Sequence, residues 1–387
     1  MTGAARVLAV DHTAGVTSFR KKFEAIARSD RVELAVLAPR TWIEGGRLVR
    51  APVSVDGYTL YSGRALFRGY ENRGFFVTGP AGALRRWRPE VLDLYEEPFS
   101  LFVLEMLLLG GVLAPGAKII FHTSDSLSWD YRYPYRPSWL YASIQRLAHA
   151  AADYAVTINE VAADILRSKG FAKPIRRAFH GVDENEFRPL DATGLRRELG
   201  LSGRVVGYVG RLMAAKGVHV LLEAFAALEG EPSLLIVGEG DEQATLERLA
   251  RDLEVRDRVV FAGAVSHDEV PRYLSAMDVM VLPSLRTSRF NEPFGRVLVE
   301  AMACGVPVIG TTCGSIDLVV GDAGIIVPEN EPGTLAAKMA LLFENDAYRE
   351  GLSRAGRERV LKRYTWDRFG ELMLGIYEEL LDGEERA

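Results

Sequence analysis

Apolar positions along the chain fall into short runs separated by segments of helical spacing, and the alternation is sharpest in the second half. Arg204–Gly210 (RVVGYVG) is a β-branched run closed by glycine, the pattern of a buried strand. Gly217–Leu228 follows at helical period, then Ser233–Gly238 as strand and Asp241–Leu253 as an amphipathic helix. Arg258–Phe261, Asp278–Leu282 and Val306–Gly310 read as further strands. Between them Ser266 opens a helix with Glu269 three residues on, a capping-box pattern, and Gly295–Cys304 reads as another helix. The first half alternates less cleanly: Arg6–Val10, Val32–Leu37, Glu90–Tyr95, Lys118–Phe121 and Tyr154–Ile158 read as strands and Val16–Ser29 as helix. The longest apolar stretch, residues 101–116, contains Glu105 and is shorter than the roughly 20 residues a bilayer span needs, so it reads as a buried helix.

Strict strand–helix alternation predicts an α/β fold with parallel, doubly wound sheets, because right-handed crossovers lay helices on both faces. A length of 387 residues predicts two domains, with the boundary in the turn-rich stretch His180–Gly194. Two Rossmann-like halves facing each other across a deep cleft would set ligands at the carboxyl ends of the strands. The 47 basic against 52 acidic residues give a net charge of −5, which disfavours a dedicated nucleic-acid binder. Two cysteines, Cys304 and Cys313, exclude a disulfide scaffold and a four-cysteine zinc site. The first residues, MTGAARVLAVDHTAG, lack the apolar length of a signal peptide and read as a first strand.

Three strand-end loops of the second half carry chemistry. Gly210–Gly217 (GRLMAAKG) sets Arg211 and Lys216 in one loop, fixed positive charge that suits a diphosphate, without the order of a P-loop. Gly238–Gly240 (GEG) starts like a dinucleotide fingerprint but lacks its third glycine, and reads better as a tight strand-to-helix turn. Phe290–Glu300 (FNEPFGRVLVE) is the most informative segment. The helix beginning near Gly295 offers free N–H groups and a positive dipole end to an anion. Glu300 lies between VLV and AMACGVPVIG, an apolar neighbourhood in which an unpaired carboxylate is costly, so a function such as gripping a vicinal diol is favoured over a solvated acid. Glu292, in the loop, suits a sugar hydroxyl.

These segments, with IVGEGDE, FAGAVSHDEV and DVMVLPS, resemble in order and spacing the donor half of retaining glycosyltransferases of family 4, which have the GT-B fold; the match covers roughly residues 175–370. The resemblance implies an acceptor-side Rossmann-like domain over residues 1–185, a nucleotide-sugar donor domain over 186–365, and a last helix, about 366–387, that crosses back. It implies that Arg211 and Lys216 bind the donor diphosphate, that Glu300 holds the ribose, and that Glu292 contacts donor-sugar hydroxyls. Phe294 and Gly295 would donate backbone N–H groups, Gly263 would border the nucleobase pocket, and Gly15 would approach the diphosphate from the first half. His122 (FHTSD) resembles the strand-end histidine that reaches the reacting sugar. The expected activity is metal-independent transfer, with retention, from a UDP- or GDP-type sugar to a hydroxyl of a glycan, glycolipid or small molecule, with no metal or other cofactor. The Asp-x-Asp metal clamp of the other large glycosyltransferase fold is absent from the chain. A nucleotide-sugar epimerase and a non-catalytic nucleotide-sugar-binding partner remain as alternatives.

The acceptor side reads less directly. Glu96 and Glu97 (YEEPFS) sit at a strand end, and Trp129 begins WDYRYPYRPSWLY, six aromatics in thirteen residues suited to stacking on a sugar or packing in a loop. Arg64–Arg88 holds six arginines against one acid, Glu71, with Phe67, Phe75, Phe76 and Trp87. Such a patch suits anionic lipid headgroups or a phosphate-bearing acceptor, so the expected localisation is cytoplasmic, with peripheral contact at the inner face of a membrane as an added option.

Overall fold

The computed structural model describes residues 4–127 and 135–382. The chain divides into two compact units, Met1–Gly181 together with Trp366–Ala387, and Val182–Thr365.

The first unit is built on a seven-stranded sheet of β1 (Ala5–Val10), β2 (Val32–Pro39), β3 (Thr59–Gly63), β4 (Val91–Leu94), β5 (Lys118–Thr123), β6 (Tyr154–Thr157) and β7 (Ile175–Arg177), in the order β7-β6-β5-β4-β1-β2-β3. Every neighbouring pair is parallel. Strands such as VLDL and YAVT are buried along their whole length, as a sheet covered on both faces requires. The helix Trp366–Asp382 packs on Thr17–Ala27, where Gly370 lies against the backbone of Ala25, and adds Phe369, Met373 and Tyr377 to the core on that face.

Two features of this unit refine the sequence reading. The arginine-rich segment 64–88 folds into a short hairpin, Ala65–Leu66 with Phe75–Phe76, and the helix Pro80–Trp87. Phe76 is buried there while Phe67 stays exposed. The apolar helix Leu101–Leu113, capped by Ser100 Oγ accepting from the Val103 N–H, buries only one face, formed by Phe102, Val103, Met106, Leu107 and Gly110. Leu108 and Val112 on its other side are 60% and 76% exposed. Glu105 on this helix accepts from the Phe76 N–H at 2.8 Å, and burial pushes its carboxyl up to about 7. Among the described residues no helix is long and apolar enough to cross a membrane.

The second unit carries β8 (Val205–Val209), β9 (Ser233–Val237), β10 (Val259–Gly263), β11 (Val279–Leu282), β12 (Val308–Thr311) and β13 (Ile325–Val327), ordered β10-β9-β8-β11-β12-β13 and again parallel throughout. The capping box at Ser266 does not form: the helix starts at Val270, and Glu269, already in the right-handed region, makes no side-chain cap. In both sheets the strand order reverses at the first strand, between β1 and β4 and between β8 and β11, which is where ligands bind in doubly wound folds.

Candidate active site

The loops after β8 and β11 are locked together. Gly217 has φ +67° and faces the Pro283 carbonyl so closely that a Cβ would stand 1.9 Å from that oxygen. Leu285 N–H donates to the Ala215 carbonyl at 2.8 Å. Glycine is required here because any side chain would push the loops apart. The result is a carboxylate and an ammonium in contact: Lys216 Nζ lies 2.5 Å from Glu292 Oε2, and the Ser284 hydroxyl donates to the same oxygen at 2.8 Å. Thr311 Oγ1 on β12 donates to the Ser284 carbonyl at 2.6 Å and fixes that serine. Glu292 is 5% exposed, and a carboxylate so buried is tolerable only because these partners offset its desolvation. Arg211 opens the same loop; its carbonyl accepts from the Tyr208 hydroxyl at 2.8 Å and its side chain is exposed. Burial and the nearby Glu292 charge raise the Tyr208 hydroxyl, so it stays a neutral donor.

Three residues after Glu292, Gly295 with φ +75° starts the helix Arg296–Ala303. Phe294 is buried against Tyr364, edge to face at 5.9 Å. Glu300, 5% exposed, receives Arg296 Nε at 3.0 Å and His267 Nε2 at 3.3 Å, both on Oε1. Burial would raise its pKa, but Arg296 and His267 outweigh burial and hold the carboxyl below its usual range. The acid is therefore charged at neutral pH and presents as an acceptor. Arg296 at i−4 was legible as a helical ion-pair spacing; His267, 33 residues away, was not. The GEG turn is a strand-to-helix corner: Leu212 N–H donates to the Glu239 carbonyl at 2.9 Å, and Gly238 N–H to the Gly263 carbonyl at 2.8 Å. Gly263 thus closes β10 beside that corner with φ +72°.

In the first unit the loop after β1 is held by buried charges. Lys22 Nζ lies 2.6 Å from Asp11 Oδ2, while Thr13 N–H and Oγ1 donate to Asp11 Oδ1 at 2.6 and 2.7 Å. His12 Nδ1 meets both oxygens of Glu96, at 2.9 and 2.8 Å, and its backbone N–H donates to Oε1 at 2.9 Å. Burial would lower the His12 pKa, but Glu96 overrides it and lifts the imidazole to about 9. Burial likewise works against the Asp11 carboxylate, and Lys22 with His12 holds its pKa below the usual value. Asp11, His12 and Glu96 bring one donor atom each within 4.8 Å of one another, the spacing of a metal site. These donors already face Lys22 and each other, so the cluster is a set of ion pairs. Glu96, 4% exposed, anchors this loop through His12. Gly15, in the anchored loop, lies over Val49 and the Arg50–Ala51 backbone, with its carbonyl accepting from Arg20 at 2.8 Å. Glu97 bonds to Thr123 Oγ1 and to the N–H and Oγ of Ser124, at 2.5, 2.7 and 3.0 Å. Burial and the neighbouring Asp125 push its carboxyl up to about 7.

His122, near the carboxyl end of β5, stacks on Tyr95 at 3.9 Å and sets Nε2 2.8 Å from Asp93 Oδ1. Asp93 is fully buried and accepts from the Tyr377 hydroxyl at 2.6 Å on its other oxygen. The last helix therefore takes part in orienting this imidazole, a link between residues 284 positions apart that spacing does not reveal. Trp129 lies outside the described residues.

Two strand-end loops are thus interlocked by glycine, with a cationic loop against one buried acid and a second buried acid in the following helix. The family model for glycosyl transferases group 1 matches residues 195–359. The second unit belongs to that family. The N-acetyl-alpha-D-glucosaminyl L-malate synthase of Bacillus anthracis is 31% identical over 221 residues, 56% of this chain and 56% of its own length. The D-inositol 3-phosphate glycosyltransferase of Acidothermus cellulolyticus is 34% identical over 250 residues, 60% of this chain and 54% of its own. The chain thus spans little more than half the length of these curated relatives. The solved structure of Anabaena Alr3699/HepE in complex with UDP covers 97% of this chain and 100% of its own, with TM-score 0.74 at 18% identity. That likeness is one of fold: the group 1 unit and its companion are the two Rossmann-like halves of a GT-B protein.

Proposed function

We propose that the chain is a retaining, metal-independent glycosyltransferase that moves a sugar from a UDP- or GDP-type nucleoside-diphosphate sugar to a hydroxyl of a glycan, glycolipid or small-molecule acceptor. The observation that carries the reading is the Lys216–Glu292 pair at 2.5 Å, in interlocked loops at the reversal point of the second sheet. Lys216 and the exposed Arg211 neutralise the charge that grows on the departing diphosphate, and the N–H groups of the helix after Gly295 add to that field. Glu292 orients donor-sugar hydroxyls, and Glu300, kept charged by Arg296 and His267, accepts from the two hydroxyls of the ribose. Transfer proceeds by front-face attack: the acceptor oxygen bonds to the anomeric carbon as the bond to the diphosphate oxygen breaks, and that diphosphate takes the acceptor proton. His122 steadies the donor sugar, with Asp93 fixing its ring orientation. The Anabaena structure contains UDP, which supports a uridine donor, and the names of the curated relatives refer to malate and inositol 3-phosphate, which supports a small polar acceptor. The chain acts in the cytoplasm, where such donors are made, and reaches lipid-linked acceptors by peripheral contact.

The test is donor hydrolysis and transfer with UDP- and GDP-sugars, measured for wild type, Lys216→Ala, Glu292→Ala and His122→Ala. Loss of turnover by about 10²–10³ in each supports the assignment. Wild-type rates in all three overturn it.

A further inference from the structure

At the opposite edge of the first sheet, where β1, β4 and β5 begin, lies a cavity of about 680 Å³ that the proposed transfer does not use. Arg6, Arg85, Arg88 and Lys118 line it, against a single lining acid, Glu90. Four cations and one anion leave a local excess of positive charge in a protein whose net charge is −5. Glu90 is engaged within the frame: its Oε2 accepts from the Arg6 backbone N–H at 2.9 Å and stands 3.9 Å from Arg6 Nε.

The cations sit on rigid supports. Glu90 N–H donates to the Arg6 carbonyl and Lys118 N–H to the Glu90 carbonyl, both at 2.8 Å, so the starts of three strands are stitched side by side. Arg6 Nε donates to the Arg88 carbonyl at 3.1 Å. Trp87 Nε1 donates to the Val7 carbonyl at 2.9 Å and pins the end of the helix Pro80–Trp87 to β1. Arg88 then turns through φ +51°, a conformation unusual for a side-chain-bearing residue, which ends the helix and places Arg85 and Arg88 together in the lining. Convergent guanidinium groups on fixed backbone favour a tetrahedral oxyanion, which they bind through paired, charge-assisted hydrogen bonds.

We propose that this cavity is a second binding site, for a phosphate group, distinct from the diphosphate site of the second unit. The phosphate belongs either to a soluble phosphorylated molecule or to a lipid headgroup. The site does not depend on the glycosyltransferase reading, because none of its residues belongs to that machinery.

Site-resolved hydrogen exchange of the full chain tests it with three probes: inorganic phosphate, phosphatidylglycerol vesicles and phosphatidylcholine vesicles. Protection of segments 85–90 and 113–118 by phosphate alone supports the site and assigns a soluble ligand. Protection by phosphatidylglycerol but not phosphatidylcholine vesicles supports it and assigns a headgroup. The Arg85→Ala/Arg88→Ala variant should weaken that protection by at least about tenfold in probe concentration, while its binding of UDP or GDP matches wild type and shows that it is folded. No protection by phosphate or by phosphatidylglycerol, or protection that survives in the variant, overturns the proposal.

Discussion

The two units share one strand order around the reversal point but use charge at their strand ends in opposite ways. After β1 and β4, Asp11, Lys22 and Glu96 are buried and the His12 side chain is 11% exposed; Lys22 pairs with Asp11 and His12 with Glu96, so most of their field is cancelled inside the protein. After β8 and β11 the acids Glu292 and Glu300 are buried, while the cations that meet them, Lys216 and Arg296, remain partly open to solvent, as does His267. A closed set of ion pairs holds a loop in shape. A buried acid with a half-open cation can exchange part of that pairing for a ligand. The same sequence signal, an acid at a strand end, thus has two structural outcomes, and what separates them is how far the partner cation reaches solvent; on the function proposed above, the first is scaffold and the second is binding chemistry.

The sharpest way to break this contrast is to remove one charge on each side. Lys216→Ala should lower turnover by about 10²–10³. It should also destabilise the second unit by up to about 3–5 kcal/mol, because Glu292 is left buried without its cation. Lys216→Ala/Glu292→Gln should recover much of the melting temperature and none of the activity. Glu96→Ala should cost a similar 3–5 kcal/mol through the stranded His12 imidazolium, yet leave the affinity for UDP or GDP unchanged, as calorimetric titration would show. If Glu96→Ala weakens nucleotide binding as strongly as Lys216→Ala does, the distinction between scaffold and site fails.

The pH dependence follows from His12. Its folded-state pKa, about 9, lies above the ordinary value of 6.5, so the pair stabilises the fold fully below about pH 6.5 and loses that contribution as pH rises through about 9. Melting temperatures measured from pH 6 to 10 should fall over this window in wild type, and the fall should flatten in Glu96→Gln, where the charge partner is gone. The smallest effect belongs to Tyr377→Phe, which removes one hydrogen bond to Asp93 and should cost about 1 kcal/mol. Its specific signature is a change in the NMR chemical shifts of the His122 ring, because Asp93, which holds that ring, loses the Tyr377 hydroxyl as a donor.

Much of this was readable from the chain. Five of the six second-half strands were placed within two residues of their observed limits, because buried parallel strands are near-continuous β-branched runs with glycine at their ends, as in RVVGYVG, whereas the three-residue strand Ile325–Val327 was not read at all. Lys216 and Glu292 stood out as charged residues in strand-end loops, although their contact depends on Gly217 meeting Pro283, which no local pattern announces. The first unit was harder. Its third strand, Thr59–Gly63, is flanked by hairpins that interrupt the alternation, and the Arg64–Arg88 region hides a helix behind its charge. Glu96 was read only as an acceptor-side candidate at a strand end, because its partner, His12, lies 84 residues away at another strand end. Long-range charge pairing of that kind is set by the sheet order and leaves no trace in spacing.

The central claim is that the loops after β8 and β11 hold a nucleoside diphosphate between Lys216 and the helix that begins after Gly295. Calorimetric titration of UDP and of GDP into wild type and Lys216→Ala tests it directly. One of the two nucleotides should bind wild type, and the variant should bind it at least about tenfold more weakly, the loss expected for a charge-assisted contact to phosphate. Equal affinity in the two proteins, or no binding of either nucleotide to wild type, would contradict it.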